Sequence, residues 1–350
     1  MNPRLACVLA AIAIAAGVLP AATVATAATA HQIAPTPSPA MTALFDYLRA
    51  RGTTGLVIIR DGQVLADETW PAPADDPIFA NFVYGRTPDG ALLEDVASQQ
   101  KSFVAVLVAI AVDKGLIDVD QPVSTYLGQG WSRATPGQEA RIRVVDVLTM
   151  SSGLDERFGH VAEPGATFFY NTPVYAVTKR ILAAAAGRPL ETLTHDWLTE
   201  PAGMSDTGWR RRPAALASVG NDTGLVTTPR DVARFGLMVL HGGVAEDGAR
   251  VVSRAQLDAL FARSASNPAY GRLWWLNGSD HTMRILGGRS EGPFIPAAPA
   301  DLIGALGALD RRLYIVPSRR LVVVRTGAAA GDPGFDQAFW LRLNAVIDGP

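Results

Sequence analysis

The sequence predicts an α+β fold: an antiparallel sheet assembled from both chain ends, flanked by the terminal helices and interrupted by a large, mainly helical insertion. Three observations predict it. First, two strand-like runs at residues 55–60 and 63–68 flank Asp61-Gly62, the pair that a two-residue hairpin favours. Second, two strands alone are unstable in water, so their partners must come from elsewhere in the chain. Third, strand-like runs return only near the end, at 272–276, 282–286, 302–309, 313–316 and 321–325, while the stretch between reads mainly as helix. A single domain over residues 41–350 follows, with 41–95 and 265–350 as its α/β part and 96–264 as its helical part.

Taken in order, the first thirty residues combine a short basic start, an apolar stretch over 5–24 and small residues ending Ala28-Thr29-Ala30. This is the pattern of an export signal cleaved near Ala30, which places the mature chain in a periplasm or outside the cell. Pro20, the alanine-rich composition and the lack of a basic flank argue against a retained membrane anchor. Cys7, the sole cysteine, lies inside the signal, so the mature chain is expected to have no disulfide, thiol nucleophile or thiolate metal site. Residues 31–40, rich in proline, serine and threonine, read as a tether.

A helix is expected over 41–50, then the hairpin, then a loop-rich passage over 71–90. Helical candidates follow at 144–150, 174–186 and 190–200. Thr228 and Pro229 supply a cap and a first-turn proline for a strong helix to Leu240, stopped by Gly242-Gly243. Ser253 caps another helix reaching Arg263, residues 317–320 form a turn, and an amphipathic helix spans 335–347. At 350 residues and 48% hydrophobic content the chain can bury a large core, and its formal charge of −2 gives no reason to expect nucleic acid. The five histidines are scattered without ligand spacing, so neither a metal nor another cofactor is expected. A monomer is the favoured state.

Chemistry concentrates at Ser98-Gln-Gln-Lys101, which opens a helix running to about Lys114. Positions 103–112 are apolar almost throughout, so this helix has no wet face and must be buried. Three residues apart, Ser98 and Lys101 share a side of the helix, as a nucleophile and its base require. Desolvation and the positive helix end both lower the lysine pKa, and a neutral amine can take a hydroxyl proton. Of only three lysines, Lys101, Lys114 and Lys179, Lys101 alone follows a serine by three. The tetrapeptide by itself is equally compatible with a capping serine and a lysine snorkelling to solvent.

With its neighbours, the stretch resembles the penicillin-recognising serine hydrolases of the class C β-lactamase type, the β-lactamase/transpeptidase-like fold. That group includes D-amino-acid peptidases, esterases and aminohexanoate-oligomer hydrolases. The resemblance rests on Lys101-Ser-Phe103, Gly115-Leu-Ile-Asp-Val-Asp120, Val147-Leu-Thr-Met-Ser-Ser-Gly-Leu154, Phe168-Phe-Tyr-Asn-Thr172, Pro201-Ala-Gly-Met204, Gly224-Leu-Val-Thr-Thr-Pro-Arg-Asp231 and Tyr270-Gly-Arg-Leu-Trp-Trp275, in that order. It implies an acyl-enzyme on Ser98 with Lys101 as base and Tyr170 as proton relay, Lys101 keeping the phenol acidic. Thr172 stands where the family's Tyr-x-Asn motif has asparagine, which departs from β-lactam and peptide-amide recognition. The third motif falls near Ala305-Leu306-Gly307, where the family's basic residue is missing. Its backbone, at Gly307 and Ala308, is nonetheless implied to join the Ser98 N–H as an oxyanion hole. Arg325-Thr326-Gly327 mimics that motif but reads as the end of the next strand.

The expected function is an exported serine hydrolase of a small amide or ester. The alternatives are a β-lactamase or D-amino-acid peptidase, and a non-catalytic binding protein on the same fold. After signal cleavage no membrane insertion is expected. A Gly-x-Ser-x-Gly run at residues 288–292 lacks the strand–turn–helix setting and any later histidine. Of Trp274 and Trp275, adjacent on a strand, at most one can face the cleft.

Overall fold

The structure is a computed structural model describing residues 37–217 and 220–349, so the expected signal and nearly all of the tether lie outside the described residues. From Ser38 onward the chain forms one compact unit. Its strands are β1 (Thr53–Arg60), β2 (Gln63–Thr69), β3 (Val83–Arg86), β4 (Leu92–Asp95), β5 (Gly208–Arg211), β6 (Thr223–Thr227), β7 (Trp275–Leu276), β8 (His281–Met283), β9 (Arg289–Glu291), β10 (Ile303–Gly307), β11 (Arg311–Val316) and β12 (Leu321–Gly327).

The main sheet has the order β2-β1-β12-β11-β10-β7, with every pair antiparallel, so the first hairpin docks directly on the last strand. Asp61 and Gly62 turn that hairpin at φ 54° and 76°, the left-handed pair of a type I′ turn. Alternation along the strands divides two cores. Leu56, Ile58, Leu321 and Val323 face the terminal helices Pro39–Arg49 and Phe335–Ile347, where Leu44, Leu48, Phe339 and Trp340 cover them. Val57, Ile59, Val322 and Val324 face the insertion, against Phe103 and Phe235. Because both faces are covered, β12 is buried at every position. The edge strand β2 is mostly exposed and polar, which blunts it as a template for pairing.

The helical insertion carries sheet structure that sequence periodicity did not reveal. A second sheet, β3-β4-β6-β5, joins two strands just ahead of it to two within it, all of four or five residues and too short to show a period. Further differences are at ends. The helix expected to reach Arg263 stops at Leu260, residues 195–199 wind as a π-helical turn, and the run at 272–276 is strand only at Trp275–Leu276. Leu273 takes φ 62° there, which interrupts any extended run.

The helix after Ser98 is Gln100–Asp113, buried from Gln100 through Ala111. Phe103 stacks on Phe235 with ring centres 3.9 Å apart, and Ser102 Oγ donates to Leu273 O at 2.8 Å. Strand β10 closes on the turn that precedes this helix at Gly307. A Cβ there would lie 2.3 Å from Val96 O and 3.3 Å from Gln99 N. Gly307→Ala is therefore expected to destabilise the fold by about 1–3 kcal/mol. Denaturant unfolding tests this, and wild-type stability would show that the approach is not a fixed constraint.

Candidate active site

Ser98 occupies a single 3-10 turn, Ala97–Gln99, immediately before the helix rather than the helix's own first turn. The residue before it, Ala97, sits at φ 51°, a left-handed conformation that costs a residue with a Cβ about 1–2 kcal/mol. What holds it there is Asp95. Its Oδ1 accepts from Ala97 N at 2.8 Å, while Arg212 Nε and Nη2 donate to the carboxylate at 2.7 and 2.9 Å. Asp95 is wholly buried and Arg212 nearly so. Next to it, buried Glu94 accepts from Arg311 Nη2 at 2.9 Å and from Thr54 Oγ1, which ties the same turn to the main sheet.

Lys101 is 2% exposed, and its Nζ lies 2.9 Å from Ser98 Oγ and 3.2 Å from Thr172 Oγ1. The serine makes no capping bond to the helix and the lysine does not reach solvent, so the bland alternatives for this pair do not hold. Burial holds the amine well below its usual value, and the cations Arg212 and Lys179 push the same way. Tyr170 is hydrogen-bonded to Ser98, and its ring centre lies 4.8 Å from Lys101 Nζ. Here the structure corrects the expectation that Lys101 keeps the phenol acidic: burial pushes it up to about 12. A neutral lysine offers no charge to offset that desolvation.

Thr172 opens the helix Thr172–Ala186, for which Asn171 is the cap, accepting from Val174 N at 3.2 Å. Its hydroxyl is the second oxygen, beside Ser98 Oγ, that Lys101 Nζ meets. Ala308 lines the same cavity as Ser98, Lys101 and Thr172, a space of about 170 Å³. Ala308 precedes a tight turn in which Leu309 and Asp310 have φ 58° and 57°. Arginines behind that turn clasp its carbonyls: Arg312 Nη1 donates to Gly307 O, Arg311 Nη1 to Ala308 O and Arg325 Nη1 to Leu309 O. Arg325, the residue of the mimic motif, is wholly buried and spent on these and neighbouring acceptors.

Trp275 stacks on Tyr170 (ring centres 6.1 Å apart) and on Phe294 (4.8 Å), whereas Trp274 is fully buried between Phe235 and Phe261. Ser290 of the Gly-x-Ser-x-Gly run stands on the short strand β9, accepting from Arg284 Nε. His195, Asp196 and Glu200 cluster on the surface, with Asp196 already paired to Arg188. Sequence reading missed Asp95, Arg212, Gln100 and Asn221. Gln100 lay inside the motif already singled out; the other three carry no local pattern, being brought to the site by β4, the segment after β5 and the approach to β6.

Comparison with known proteins agrees with this geometry. An uncharacterised protein of Alkalihalophilus pseudofirmus is 25% identical over 269 residues, 69% of this chain and 75% of that one. A Bacillus anthracis structure described as a 6-aminohexanoate-dimer hydrolase superposes with a TM-score of 0.65 at 16% identity, covering 87% of this chain and 81% of its own. The β-lactamase/D-alanine carboxypeptidase of Yersinia pestis gives 0.62 at 16% identity, covering 87% and 97%. Both structural likenesses show the fold. The Beta-lactamase family model matches residues 41–346, and the chain therefore belongs to the β-lactamase family of serine hydrolases.

Proposed function

We propose that this protein is an exported serine hydrolase that cleaves a small ester or amide through an acyl-enzyme on Ser98. The observation that carries the reading is the 2.9 Å approach of a buried, charge-depleted Lys101 amine to the Ser98 hydroxyl. The amine takes the serine proton as Oγ attacks the carbonyl. Backbone N–H groups at Ser98 and Ala308 would hold the oxyanion. Tyr170, kept protonated by burial, gives its proton to the leaving oxygen or nitrogen, and the Lys101 ammonium restores it. Water then releases the acyl group by the reverse sequence. Thr172 steadies the amine between these steps.

Arg212, a cation lining the cavity that holds the serine, is committed to Asp95. That supports an uncharged substrate over the carboxylate-bearing substrates of a β-lactamase or D-amino-acid peptidase. The apolar leader at residues 5–24 supports export. A purely binding protein has no use for a depressed lysine beside a serine.

Intact mass after incubation with a fluorophosphonate tests the nucleophile. One adduct is expected on the wild type, none on Ser98→Ala, and Lys101→Ala should be slowed roughly 10²–10⁴-fold. An adduct that persists in Ser98→Ala would sink the assignment. The pH profile tests the protonation states. Activity needs Lys101 neutral, so kcat/KM for an aryl ester falls as pH drops through the folded lysine pKa, which lies well below 10.5. It also needs Tyr170 protonated, so the alkaline limb belongs near 12. An acid limb at the ordinary lysine value would mean that Lys101 is not the base.

A further inference from the structure

Four polar groups that have no partner among the described residues belong to three side chains on the wall of the Ser98 cavity or immediately behind it. Gln100 is fully buried, and neither its Oε1 nor its Nε2 makes a hydrogen bond. Asn221 is 2% exposed; its Nδ2 is unpartnered, and its Oδ1 accepts from Lys179 Nζ at 2.7 Å. Tyr175, stacked behind Lys101, contributes the fourth group with its hydroxyl. Gln100 and Asn221 both line the cavity that holds Ser98, Lys101 and Thr172. A buried amide left without a partner costs about 1–3 kcal/mol, so two on one cavity wall demand a partner that arrives with the ligand.

The orientation of Asn221 is not free. Lys179 Nζ also donates to Thr223 O at 2.8 Å and Thr223 Oγ1 at 3.1 Å, and in its ammonium form it has three donors and no acceptor. Its remaining donor fixes the asparagine oxygen towards the lysine and leaves the NH₂ as the free end. Phe82, Ala97, Ala215, Leu216 and Ala308 give the same cavity its apolar lining. The cavity of about 170 Å³ holds on the order of six water-sized groups, the size of a short acyl chain.

Resting on the acyl-enzyme reading above, we propose that Asn221 and Gln100 are specificity-determining residues: they select a short acyl group carrying a neutral hydrogen-bond acceptor, such as a second carbonyl, a few atoms from the scissile bond. An apolar chain of equal length would leave the NH₂ groups of both carboxamides buried and unpaired, and the cost of that appears as discrimination. Asn221 and Gln100 touch the substrate without taking part in proton transfer. Lys179 acts through Asn221 and is a positioning residue.

The test compares aryl esters in matched pairs: 4-oxopentanoate against pentanoate and 5-oxohexanoate against hexanoate. The expected result is a kcat/KM ratio of about tenfold in favour of one oxo ester, the yield of one neutral hydrogen bond. Asn221→Leu and Gln100→Met, on different segments, should each bring that ratio towards one. Because the ratio is internal to each variant, a general loss of rate does not affect it, and either variant suffices if the other fails to fold. A ratio of one in the wild type, with Ser98 still labelled by the fluorophosphonate, would overturn this inference and leave the hydrolase reading standing. A ratio that survives both substitutions would remove these two residues from the assignment. Folded wild type that takes no label on Ser98 would overturn the hydrolase reading, and this inference with it.

Discussion

The site depends on two adjacent buried carboxylates at the end of β4. Asp95 bonds the Ala97 amide and the Arg212 guanidinium, and Glu94 bonds Arg311 and Thr54. Each charge is paired and hydrogen-bonded, which is what makes its burial tolerable. Removing a partner would leave the other charge alone in the interior, typically at about 3–5 kcal/mol. Through these bonds the nucleophile turn is held to both sheets at once: Arg311 and Thr54 stand on β11 and β1, and Arg212 follows β5. The left-handed Ala97 persists because its surroundings overdetermine it. Even the neighbouring backbone is shaped to fit, since a Cβ on Gly224 would lie 2.0 Å from Asp95 Oδ2.

That arrangement also sets the electrostatics. Arg212 cancels Asp95 yet still adds to the repulsion that Lys101 feels, and Lys179, itself lowered by burial to about 7, adds more. Desolvation remains the larger cause at both lysines. The same burial acts on the Tyr170 phenol in the opposite chemical sense, holding it protonated. Desolvation thus produces a base and an acid beside Ser98 from side chains whose ordinary pKa values nearly coincide. Burial disfavours the Lys101 charge that would have acidified the phenol, and desolvation of the phenol itself outweighs its bond to Ser98.

The sheet and the proton-transfer pair were legible because their signals are local. The continuous β-branched and apolar runs at 55–60 and 321–325, the Asp61-Gly62 turn and the Thr228-Pro229 helix start each reflect local sterics and hydrogen bonding. Ser98 and Lys101 lie within one turn, so their proximity follows from helical geometry whatever the rest does. The second sheet was not legible, since β3 to β6 are short and its central pair, β4 with β6, joins residues more than a hundred apart. Nor was Asn221, whose role arises from a lysine on one helix, a threonine on β6 and a cavity opened by Ser98.

By itself, the sequence determined the strands of the main sheet and the longer helices, that the helix behind Ser98 must be buried, and that a serine and a lysine lie on one side of its opening turn. These follow from periodicity, because apolar spacing dictates which face leaves water. Tertiary structure decided the charge state and the surroundings of that pair. The number of cations and carboxylates within reach of Lys101, and the depth at which Tyr170 sits, depend on chain segments far apart in sequence. Electrostatic energy depends on distance and local dielectric, and neither is written in residue order.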